Sequence, residues 1–108
     1  YIDDIVEGVI RVMNRVPRRE PSTVSGAGAL YKVYNIGNNN PVTLRSFIES
    51  IEVSCNRLAV KNYLPIQPGD VPVTYADIDS LILDVGFRPE TTVGEGMRKF
   101  VRWYKEYS

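Results

Sequence analysis

Residues 31–64 read YKVYNIGNNNPVTLRSFIESIEVSCNRLAVKNYL, and the fold class turns on this stretch. Tyr31 to Ile36 is aromatic and β-branched, a composition that favours a pleated strand. Gly37 through Pro41 is a turn cluster, in which Gly37 or an asparagine suits positive φ. Thr43 is placed to cap a helix. Its Leu44, Phe47, Ile48, Ile51, Cys55 and Leu58 fill an arc of roughly 100° on a helical wheel, with Val53 the apolar misfit on the polar side. Ala59 to Leu64 returns to a strand composition. Two such strands can pair in parallel, because a helix of adequate length crosses between them. The expected class is therefore α/β, or α+β-like, with about four helices and two or three short strands.

Working outward, residues 2–16 carry Ile2, Ile5, Val6, Val9, Ile10, Val12, Met13 and Val16 within an arc of roughly 160°, opposite Asp3, Asp4, Glu7, Arg11, Asn14 and Arg15. Asp3 or Asp4 suits the N-cap or first turn of that helix, and Pro17 ends it. Residues 17–30, PRREPSTVSGAGAL, are loop by composition and the best candidate for a flexible segment. At the other end, Asp77 is placed to cap a short helix, Ile78 to Val85, closed by Gly86. Thr92-Val93-Gly94-Glu95 matches the S/T-x-x-E capping box. The helix it opens places Val93, Met97, Phe100, Val101, Trp103, Tyr104 and Tyr107 along one broad face, with Trp103 at its edge. The first and last helices thus present more apolar surface than the rest of the chain can cover. The chain also begins without methionine and in mid-element. It reads as a piece of a longer protein, a single region over 1–108 whose broad apolar faces meet the remainder.

Composition narrows the function classes. The 108 residues carry 13 basic and 13 acidic side chains, for a net charge of zero. That argues against nucleic acid as a partner, since such surfaces show a basic excess. No apolar run approaches the ~20 residues of a membrane span, and no basic amphipathic helix points to contact with a membrane surface. One cysteine, Cys55, and no histidine leave no zinc ligand set and no histidine-based catalytic pair. Cys55 lies in the apolar arc of its helix and reads as a small buried hydrophobe. A reducing, cytoplasmic setting fits a single thiol.

Chemistry-bearing motifs are few. Gly26-Ala27-Gly28 neither follows a strand nor opens a helix, so it fails as a dinucleotide-binding loop. No Tyr-x-x-x-Lys occurs. No catalytic constellation is expected in this chain. The remaining candidate is IQPGDVPVTYADI, residues 66–78. Pro68-Gly69 is a turn signal, with proline fixing φ at the second position and glycine allowing φ > 0 at the third. Gln67 precedes it with an amide, and Asp70 leaves it with a carboxylate. Two roles are open to Asp70: tying back its own turn backbone, or accepting two hydroxyl donors of a ligand such as a ribose diol.

Three stretches, YIDDIVEGVIRV, VYNIGNNNPVTLRSFIESIE and LPIQPGDVPVTYADIDSLILDVGFRPETTVGEGMRKFVRWY, together resemble the C-terminal part of the extended short-chain dehydrogenase/reductase nucleotide-sugar epimerases, above all the UDP-glucuronate 4-epimerase branch that serves capsular polysaccharide biosynthesis. The resemblance runs from Tyr1 to about Tyr107 and is weakest at residues 17–30 and 53–61. QPGDVPVTYADI and DVGFRPET are specific to this group, whereas YNIG and the final WY are shared more widely. It implies a parent enzyme with an N-terminal Rossmann domain that binds NAD and carries the catalytic Tyr-x-x-x-Lys, and in which hydride leaves and returns to C4 of the sugar. It implies that this region is the substrate-binding subdomain for the UDP-sugar, without cofactor or catalytic residues of its own, and that the parent is a homodimer. Asp70 matches an aspartate that contacts the nucleotide, while Gln67 stands where an arginine is frequent. A glutamine can hydrogen-bond but cannot form a bidentate ion pair with phosphate. Within the same family, a nucleotide-sugar 4,6-dehydratase or a UDP-glucuronate decarboxylase is the enzyme alternative; a non-catalytic α/β interaction module is the alternative of a different class.

Overall fold

The computed structural model describes residues 1–16 and 31–108, and the loop expected at 17–30 lies outside the described residues. Four helices follow in order: α1 (Ile2–Met13), α2 (Leu44–Cys55), α3 (Asp79–Val85) and α4 (Val93–Tyr107). No strand occurs among the described residues, so the expected α/β class is corrected to a helical one. The physical reason lies in what a strand is. Residues 31–36 and 59–64 have the side chains of strands, but a strand persists through its ladder, and among the described residues neither segment forms one. Tyr31 and Val33 of the first segment and Val60, Tyr63 and Leu64 of the second stay exposed. Each segment is fastened through side chains instead.

The helix ends are governed locally. Thr43 Oγ1 accepts from Ser46 N at 3.1 Å and opens α2, and Thr92 Oγ1 accepts from Glu95 N at 3.2 Å and opens α4. The reciprocal half of the capping box is not used, and the Glu95 carboxylate pairs with Lys99 at 3.6 Å. Gly86, at φ +65°, closes α3. At the end of α2 the left-handed residue is Asn56, at φ +54°, a non-glycine position that asparagine tolerates better than most residues. α1 starts without a side-chain cap from Tyr1. Asp4, expected near that cap, accepts instead from Thr91 N at 3.0 Å, and so joins the two ends of the chain. Asp77 Oδ1 accepts from Asp79 N at 3.2 Å, one residue beyond the expected start of α3.

Packing is concentrated between α2 and α4, the one helix pair in extensive contact among the described residues. Among the described residues Ile78 and Leu81 are fully removed from solvent, and Val101 is buried with them. Gly8 is buried on α1, facing Ile36 and Phe87. Beyond this centre, Ile2, Val6, Val9, Ile10 and Met13 of α1 are exposed, as are Phe100, Trp103 and Tyr107 of α4. The Trp103 and Tyr107 rings stack, with centroids 5.4 Å apart. Cys55, expected to be buried, is half-buried.

Candidate functional site

The loop that carries Gln67 and Asp70 is a hydrogen-bonded turn. Asp70 N donates to Gln67 O at 3.1 Å, and Gly69 has φ +94°. A third-position φ of that sign is the geometry of a type II turn, with Pro68 supplying the fixed φ before it. The Gln67 amide nitrogen donates to Pro65 O at 3.3 Å. The Asp70 carboxylate makes no hydrogen bond among the described residues, so the tie-back open to a turn aspartate does not form. Residues 66–73 are exposed throughout. The turn thus presents a carboxylate with its acceptor positions available, next to an amide already engaged through its nitrogen.

Two hollows of the surface lie elsewhere. One, between α2 and the start of α4, is lined by Asn38, Asn40, Ser46, Ser50 and Thr92. Another runs along α2 beside Arg45, Glu52, Lys61 and Tyr63. Neither takes in Gln67 or Asp70. By itself the 67–70 turn forms an open wall, able to receive hydrogen-bond donors such as a pair of hydroxyls but not to surround a ligand.

Three features keep the segments around the turn in place. Asn38 O accepts from Ala76 N at 3.2 Å, and Asn38 Nδ2 donates to Thr91 O at 3.0 Å, so the 37–40 turn is tied to both flanks of α3. Glu52 accepts from Ala59 N at 2.9 Å and from Lys61 Nζ at 3.0 Å. These bonds, the backbone one foremost, hold its carboxyl below the usual glutamate range. Asp84 of α3 accepts from Lys32 Nζ at 2.5 Å and from the Tyr34 hydroxyl at 2.6 Å. The lysine bond leads in lowering the carboxyl of Asp84. The bond to Asp84 in turn raises the Tyr34 hydroxyl above the usual phenol range. Sequence spacing offers no sign of the Asp84 group, because its partners lie about fifty residues away.

Comparison with known proteins gives the chain's relatives by sequence. No family profile matches the chain. Curated relatives do match over nearly its whole length. Protein CapI of Staphylococcus aureus is 50% identical across 114 residues, covering 99% of this chain and 34% of the relative. The probable UDP-glucuronate 4-epimerase of Rhizobium meliloti is 39% identical, over 98% of this chain and 33% of that protein. UDP-glucuronate 4-epimerase 1 of Arabidopsis thaliana is 36% identical, over 99% of this chain and 25% of that protein. The chain is thus homologous to the C-terminal part of the UDP-glucuronate 4-epimerases and CapI, and it spans about a third of the length of the two bacterial relatives.

Proposed function

We propose that this chain is the C-terminal, substrate-binding portion of a UDP-glucuronate 4-epimerase-like enzyme that makes precursors for polysaccharide, and that Asp70 receives hydroxyls of the nucleotide. The reading rests on 50% identity to CapI across 99% of the chain. It draws support from the free acceptor positions of Asp70 on an ordered turn. An ionised carboxylate has two oxygens that accept from adjacent hydroxyls together, and hydrogen bonds to a charged group are the stronger kind. Gln67 contributes an amide, which leaves the diphosphate charge to basic groups elsewhere in the enzyme.

NAD is the cofactor proposed for the whole enzyme, a member of the short-chain dehydrogenase/reductase family, homodimeric and cytoplasmic. The residues of this chain do not fit that cofactor. Its sequence has neither a glycine-rich dinucleotide loop opening a helix nor a Tyr-x-x-x-Lys. The redox step and its proton transfers therefore belong to the N-terminal portion, and this chain contributes to binding and orientation. No helix among the described residues is long and apolar enough to cross a membrane.

The test is Asp70→Ala in the full-length enzyme. Loss of a hydrogen bond to a charged group predicts weaker UDP-sugar binding by about 1–3 kcal/mol. Calorimetric titration with UDP separates the nucleotide contribution from that of the sugar. Unchanged affinity for UDP together with unchanged kcat/KM would remove Asp70 from the site.

A further inference from the structure

We draw no further inference here: the strongest candidate, the exposed aromatic patch of Phe100, Trp103 and Tyr107 along α4, carries none, because nothing among the described residues shows what covers it.

Discussion

Gly8 faces Ile36 so closely that a β-carbon placed on it would lie 2.9 Å from Ile36 Cγ2. The contact joins the middle of α1 to the end of segment 31–36, with Phe87 Cε1 at 3.4 Å from the same point. Cγ2 of a β-branched side chain sits near the backbone and cannot swing aside cheaply.

Gly8→Ala therefore sets two effects against each other. Alanine in a helix interior gains up to about 1 kcal/mol over glycine. Overpacking a closed contact costs about 1–3 kcal/mol. The steric term is the larger, and the expected outcome is a net destabilisation of about 1 kcal/mol, measured as a lower denaturant midpoint at constant slope. The double variant with Ile36→Ala, which clears the clash, should recover the helix-propensity gain.

Helix capping predicts a second result. Thr92→Ala removes the acceptor for Glu95 N and should cost about 1 kcal/mol, whereas Thr92→Ser should keep most of it. Thr43→Ala should behave alike at α2. Chemical unfolding of each variant, and of serine against alanine, checks the assignment. Equal losses for both substitutions would mean that the hydroxyl is not what matters.

The Glu52 carboxyl predicts a pH dependence. Its value in the folded state is lowered, chiefly by the bond from Ala59 N and then by Lys61. A lowered acid contributes stability that is present above the ordinary glutamate range and is lost as pH falls through the folded-state value. Glu52→Gln should therefore lower Tm at neutral pH, and the difference from the unsubstituted protein should shrink to nothing in acid. A gap in Tm that stays constant across pH would assign the effect to packing.

At the candidate site, Gln67→Arg places a guanidinium beside the Pro68-Gly69 turn. On the proposed UDP-sugar reading, in the full-length protein it should tighten binding by up to roughly tenfold and make the affinity more salt-sensitive, because a guanidinium can form a charge-assisted bidentate bond to phosphate that an amide cannot. The measurement is Kd for UDP at two ionic strengths. An unchanged salt slope would place residue 67 away from the diphosphate.

What the sequence makes legible here is local. Thr43, Thr92, Gly86 and the Pro68-Gly69 turn act within four residues of themselves, and each appears where its chemistry predicts. The compositions of 31–36 and 59–64 mislead for the opposite reason. Valine and tyrosine favour a strand only when another backbone supplies the ladder, and that condition is not written in the segment itself. Asp4 with Thr91 pairs across most of the chain, and Asp84 with Lys32 and Tyr34 across about half of it; both are invisible to periodicity or spacing. At the candidate site, the turn geometry was readable, but the absence of any local bond to the Asp70 carboxylate required coordinates. The family likeness came from whole strings such as QPGDVPVTYADI, not from any single chemical motif.

The sparse centre of Ile78, Leu81 and Val101 bears on calorimetry. The heat capacity increment of unfolding comes mainly from newly hydrated apolar surface. Much of that surface on α1 and α4 is already wet in the folded chain. Melting this chain apart from any partner should thus show an increment well under the ~1.4 kcal/mol/K typical of a compact 100-residue domain. Its transition should accordingly be broad, and its stability should vary little with temperature. A partner that covered α1 and α4 should make the same residues melt sharply.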